Sequence, residues 1–141
     1  MSISTTITAL QAVHAAITGI KTAPTAFPSV LNTATLPIVL VWPSQGDWNL
    51  QAIDLDRCNR RYTVRCFIKP VAQGEAGIDD GYQECVTLLN AFGLAYLDDL
   101  SLGGTVDHVR LIQDTGVSNL RWADVAYWGF EYTLEVVEKT S

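Results

Sequence analysis

The sequence predicts an α+β fold: one mainly antiparallel, four-stranded sheet with two helices packed on one face. Two segments repeat apolar residues at steps of three and four, the period of a helix face. Several others alternate apolar and polar residues, the period of a strand. The segments follow in the order α-β-β-α-β-β, so both helices bury their stripes against a single apolar sheet face. A chain of 141 residues suits one domain with one core, spanning 1–141.

The first helix is expected from Ser2 to Ile20, with Ile3, Ile7, Leu10, Val13, Ile17 and Ile20 on one face. Thr5, Thr6, Thr8 and Gln11 take the other faces, and Gly19 and Pro24 mark the end. Only Lys21 brings charge near this helix, so part of its outer surface is expected to lie under a partner. Lys21 to Leu36 is a loop, with Pro24 and Pro28 blocking a regular element. Leu36 to Trp42 is a continuous apolar run closed by Pro43. Its length and β-branched content predict a strand buried on both faces. Ser44 to Asn59 is a second loop, holding Gly46, Trp48, Asp47, Asp54 and Asp56.

Arg60 to Lys69 is a clearer strand. Tyr62, Val64, Cys66 and Ile68 alternate with Arg61, Thr63, Arg65 and Lys69, and Phe67 is the exception on the polar face. Pro70 stops it, and Val71 to Ile78 is a connection containing Gly74 and Gly77. Asp79 or Asp80 is expected to cap the second helix, with Gln83 at the capping-box position of Asp80. Tyr82, Cys85, Val86, Leu89, Phe92 and Tyr96 share one face of it. Asp98-Asp99 and Gly103-Gly104 turn the chain.

Val106 to Gln113 is the third strand. Asp114 to Ala126 is a loop carrying Trp122, and Tyr127 to Val137 is the fourth strand, the most regular of all. The core is expected to hold Ile7, Leu10, Ile17, Val39, Val64, Cys66, Cys85, Leu89, Phe92, Phe130, Tyr132 and Leu134. The strands Arg60–Lys69 and Tyr127–Glu138 should lie in one sheet with their polar faces on the same side. Arg61 and Arg65 would then stand near Glu131 and Glu135.

The formal charge is −6 and the pI about 4.6. That balance disfavours a protein that grips DNA and permits one that DNA slides past. The apolar runs are too short to span a bilayer. Met1-Ser2-Ile3-Ser4 has neither the basic start nor the apolar run of a secretory signal, so synthesis in the cytoplasm is expected. Cys58, Cys66 and Cys85 fit no metal spacing and read as reduced core thiols.

His14 and His108 have no companion at ligand spacing and read as satisfied or exposed histidines. No nucleophile elbow, phosphate loop, dinucleotide fingerprint or zinc-protease motif occurs. Asp98-Asp99 and Asp54-x-Asp56 lack calcium-loop spacing and read as solvated acids. The expectation is therefore no catalytic residue, no cofactor, no metal and no enzyme.

Trp128 belongs to a core face. Trp48 and Trp122 fall in expected loops, where a protein interface and local packing are both open. The basic cluster Arg57, Arg60, Arg61 and Arg65 is read as pairing across the sheet rather than binding phosphate.

The short first helix is followed by the proline-bounded run Leu36-Pro37-Ile38-Val39-Leu40-Val41-Trp42-Pro43. A strand ending in Lys69-Pro70, a Gly-containing loop, a helix and the aromatic final strand Tyr127 to Glu138 complete the pattern. In this order the chain resembles the tail-terminator and neck (tail-completion) proteins of long-tailed bacteriophages. The resemblance covers nearly the whole chain in element order and involves no catalytic signature.

It implies a structural virion protein of the tail-neck region, made in the host bacterial cytoplasm. Such a protein forms a homo-oligomeric ring, a hexamer by family, that caps the major tail tube protein and ends tube polymerisation. It also offers the face that joins the head-completion, or connector, protein. DNA passes through without specific binding, and no membrane is involved. On this reading Trp48, Trp122, Ile3 and Ile7 are candidates for the subunit or tube interface. One contact patch is placed on Ser2 to Ala26 and the other around the loops of Trp48 and Trp122. Asp47, Glu75, Asp79, Asp80 and Asp114 are candidate channel-facing acids. Three alternatives stay open: another neck or minor tail component such as a head-closure protein, a small non-viral enzyme or ligand-binding domain, and a nucleic-acid-binding module, which the pI disfavours.

Overall fold

The computed structural model describes residues 3–48, 57–71 and 78–139. Their elements are α1 (Ile3–Ala15), β1 (Ile38–Trp48), β2 (Arg57–Pro70), α2 (Ile78–Asp98), β3 (His108–Asp114), β4 (Ser118–Trp122) and β5 (Val125–Lys139). The fold is α+β, with two helices and an antiparallel sheet in the order β1-β2-β5-β3, and β4 also on β5.

The sheet has five strands rather than the expected four. The additional strand, β4, arises within the stretch 114–126 that reads as a loop. β3 and β4 lie end to end along one edge of β5. The β4–β5 turn is made by Ala123 and Asp124, both with positive φ (50° and 65°), and is closed by the pair Trp122–Val125. Positive φ at both turn residues matches the twist of the flanking strands. Neither residue is glycine, so the turn carries no strong signal in the sequence.

Other boundaries shift for local reasons. Pro43 does not end β1, which continues to Trp48. β1 is an edge strand, where a missing N–H is tolerated, and its register shifts between Pro43 and Gly46. Trp48 therefore ends a strand instead of sitting in a loop. α1 stops at Ala15, well before Ile20. Beyond it the chain tightens into turns, with the Ile17 N–H bonded to the His14 carbonyl (3.0 Å) and the Ile20 N–H to that of Ile17 (3.2 Å). Gly19, at φ 104°, completes the unwinding. α2 begins at Ile78, so Asp79 and Asp80 lie inside its first turn and not at the cap.

The register of β2 on β5 pairs Tyr62 with Leu134, Val64 with Tyr132 and Cys66 with Phe130. These residues form the main core with Val39, Val41, Leu10 of α1, and Cys85, Leu88, Phe92 and Tyr96 of α2. Of the expected core, Ile7, Ile17 and Leu89 are only partly buried. The pairs Arg61–Glu135 and Arg65–Glu131 fall opposite each other, as the alternation predicts.

The other sheet face is not wholly polar. Ile38, Leu40, Phe67, Leu120 and Tyr127 form a second buried cluster with Leu31 and Leu36, flanked by Trp42 and Trp122. The loop leading into β1 roofs it, and Phe27 stands edge-on to Trp42 (5.6 Å) and Trp122 (5.8 Å). Phe67 is thus no exception to the alternation. It is the centre of a second apolar layer, and its full burial stabilises the fold by about 2–3 kcal/mol.

Candidate functional site

A helix needs apolar contact to stay on a sheet, yet the most buried line of α1 is partly polar. Thr6, Leu10, Gln11 and His14 are all buried. The Gln11 side-chain amide donates to the Val39 carbonyl (2.9 Å) and to the Pro24 carbonyl (2.5 Å). Its oxygen lies 2.8 Å from His14 Nδ1, and His14 Nε2 lies 2.6 Å from the Tyr96 hydroxyl. Gln11 Oε1 only accepts, so Nδ1 carries the proton and Nε2 accepts from Tyr96. Burial pulls the His14 pKa down to about 3, so the ring is neutral. Nearby, the Tyr62 hydroxyl donates to the buried Glu138 carboxylate and is also bonded to Thr6. Burial, then that carboxylate, pushes the Tyr62 pKa up. These two chains fix α1 to β1, β2 and α2, and so decide which of its faces looks outward.

The outward face of α1 carries Ser4, Thr5, Thr8, Ala12 and Ala15. It is small and uncharged. The exposed flank of α2 is the opposite in size. Tyr82, Val86, Leu94, Leu97 and Leu100 are exposed, Leu97 by 63%. Between this flank and the β3 edge runs a groove of about 400 Å³ lined by Val86, Leu89, Asn90, Gly93, Leu94, Leu97, Asp114 and Tyr132. Tyr132 donates to the Leu89 carbonyl (2.6 Å). Burial, then Asp114, pushes its hydroxyl up to about 12, so it stays neutral.

Tyr82 and Val86 were expected to face inward with Cys85 and Phe92. The buried line instead runs through Cys85, Leu88, Phe92 and Tyr96, which leaves those two outside. The signal for this flank was present as a surplus: Leu94, Leu97 and Leu100 add apolar residues beyond one helix face.

The four candidate interface residues do not share one surface. Ile3 and Ile7 are partly buried and pack against the main core. Trp48 is 55% exposed at the end of β1, with the Arg60 guanidinium 5.6 Å over its ring. Trp122 is half-buried at the far end of the sheet, between Phe27 and Phe67 (5.9 Å). Among the acids, Asp47 is exposed on β1 and Asp114 on β3, at opposite edges. Asp114 also accepts the Gly116 N–H (2.8 Å) to shape the turn after β3. Asp79 and Asp80 lie in the first turn of α2, their side chains outside the described part, and Glu75 lies outside the described residues.

The remaining sequence candidates are local. Arg65 bonds Glu131 at 2.9 Å and stands 5.1 Å over the Trp42 ring, while Arg61 lies 4.0 Å from Glu135. Asp99 accepts the Gly103 N–H (3.0 Å) in a turn. His108 is exposed at the start of β3. Cys58, Cys66 and Cys85 are buried free thiols, and burial pushes each of them up, Cys85 to about 11. Thiols so shifted are poor nucleophiles. Among the described residues no three His, Cys, Asp or Glu side chains gather at metal-binding distance, and no helix is long and apolar enough to cross a membrane. No protein-family model matches the chain, and no curated protein matches it in sequence.

Proposed function

We propose that this chain is a structural subunit of a long-tailed bacteriophage virion, of the tail-terminator type. In this role it closes into a ring, six copies by family analogy, on the end of the tail tube. The ring stops tube polymerisation and presents the face that the head connector joins.

The observation that carries the reading is a pair of different flanks, the small-residue face of α1 and the exposed leucines of α2, at opposite edges of one sheet. α1 packs over β1 at one edge. α2 packs over β2 and β5 and reaches β3 at the other edge. Ring closure needs two different patches that meet by a repeating rotation, and two unlike flanks at opposite edges support that reading. The charge of −6 suits a channel wall that DNA must pass without sticking.

The test is the mass of the purified protein in solution, alone and mixed with isolated tail tubes. A single species of about six subunits, retained on tube ends, is the expected result. A monomer that tubes never retain contradicts the proposal. Retention on isolated connectors in place of tubes would assign the chain to head closure.

A further inference from the structure

We infer that copies of this chain join head to tail, the exposed flank of α2 in one copy being covered by the small-residue outer face of α1 in the next. The inference rests on the ring reading above and names the surfaces that meet.

Leu94 and Leu97 each expose more than half of their surface and line one groove with Val86. Exposed apolar side chains gathered beside one groove mark an interaction site. The groove has Tyr132 among its lining residues and asks for a narrow apolar occupant. The chain supplies one. Thr8, Ala12 and Ala15 on the outside of α1 are small enough for two helix axes to approach to about 8 Å, the close end of helix packing.

The sheet directions agree with this pairing. In the order β1-β2-β5-β3 every neighbour is antiparallel, so β1 and β3 run in opposite senses at the two edges. Copies set side by side, with helices on the same side, bring β3 of one antiparallel to β1 of the next. Charges then match across the joint. Asp47 on β1 lies in the same row as His108 on β3, through Asn59 and Val137. Arg110, exposed, follows two residues later at the irregularity in β3. Side-by-side copies thus put exposed Asp47 opposite exposed His108, two residues from the Arg110 cation.

Two other arrangements are disfavoured. A continuous backbone ladder is blocked by Pro43 and by the register shifts in both edge strands, so the helices and side chains must carry the contact. A symmetric α2-on-α2 contact would bring two copies of the Asp114 that lines the groove into one interface, whereas the α1 face brings no charge.

The experiment uses two single variants at exposed positions, Leu97→Arg on α2 and Ala12→Arg on α1, each checked for wild-type circular dichroism. Sedimentation of the wild type should show an oligomer and each variant alone a monomer. Mixed in equal amounts, the two should form a one-to-one dimer and nothing larger, because each retains one good face. In the wild-type background Asp47→Arg should weaken association roughly twofold to fivefold, and Arg110→Asp should restore it. If the wild type is oligomeric and both variants remain so, these faces are wrong while the ring reading stands. Monomeric variants that fail to combine would overturn the inference, and a monomeric Leu97→Arg beside an Ala12→Arg that stays oligomeric would mean a symmetric α2 contact and overturn it too. A wild type that never associates would overturn both.

Discussion

His14 on α1 and Tyr96 on α2 meet inside the molecule, with the imidazole Nε2 2.6 Å from the phenol oxygen. The ring also stacks on Phe92, with centroids 5.1 Å apart. This pair and Gln11 hold α1 down, since the flanking Ile3, Ile7, Val13 and Ile17 are only partly buried. Removing one partner leaves a buried polar group unsatisfied. Tyr96→Phe should cost about 1–3 kcal/mol in denaturant unfolding. Loss of less than a few tenths would show that the hydrogen bond contributes nothing.

The same histidine makes stability depend on pH. Its folded pKa is about 3, against about 6.5 in the unfolded chain. Between those values the unfolded state binds the extra proton, so the stabilising contribution is full above about pH 6.5. It falls as pH drops toward 3. The loss is on the order of a few kcal/mol for so buried a group. His14→Gln should flatten the pH 4–7 part of the stability curve. An unchanged slope in that variant would assign the acid sensitivity elsewhere.

Arg65 and Glu131 are partly exposed, so their 2.9 Å contact guides register more than it stabilises. A double-mutant cycle to alanine should give a coupling of about 0.2–1 kcal/mol, shrinking in high salt. A coupling unaffected by salt would instead point to the packing of Arg65 on Trp42.

Gly129 sits where β5 presses against β2. A Cβ there would lie 2.1 Å from the Cys66 carbonyl oxygen, a backbone atom that cannot swing aside. Gly129→Ala should cost several kcal/mol or prevent folding. Gly103, at φ 69°, has open space around it, and Gly103→Ala should cost only about 1–2 kcal/mol from backbone strain. Similar costs at the two sites would contradict the close approach.

Phe27 closes the second apolar layer from outside, edge-on to Trp42 and Trp122. Phe27→Ala should cost about 1–3 kcal/mol and shift tryptophan emission to the red as those two rings gain water. Emission that stays put would mean the loop does not roof that layer.

The centre of the fold was legible in the residues. Tyr62, Val64 and Cys66 against Leu134, Tyr132 and Phe130 keep strict alternation, and matched charges on the reverse face leave one sensible register. What was not legible depended on neighbours far away in sequence. Phe67 looked misplaced because the chain from Phe27 to Leu36 that covers it is irregular and has no period. Thr6 and Gln11 looked like outward residues, and His14 stayed open between satisfied and exposed, because their partners, Tyr62, Val39 and Tyr96, become visible only once the strands and α2 are assembled. β4 went unseen because Ser-Asn-Leu-Arg-Trp buries only Leu120 fully and its turn lacks glycine. Of the candidate surface residues, the isoleucines of α1 were picked for their apolar character, which α1 turns partly inward. The more exposed flank, on α2, was hidden by counting Tyr82 and Val86 as core.

The central proposal, that this chain ends tail assembly as a ring, is tested most directly by electron microscopy of tails made without it. The proposal predicts tubes of uncontrolled length, or tails that fail to join heads, with normal tails restored when the protein is supplied. Tails of normal length that attach normally in its absence would contradict it.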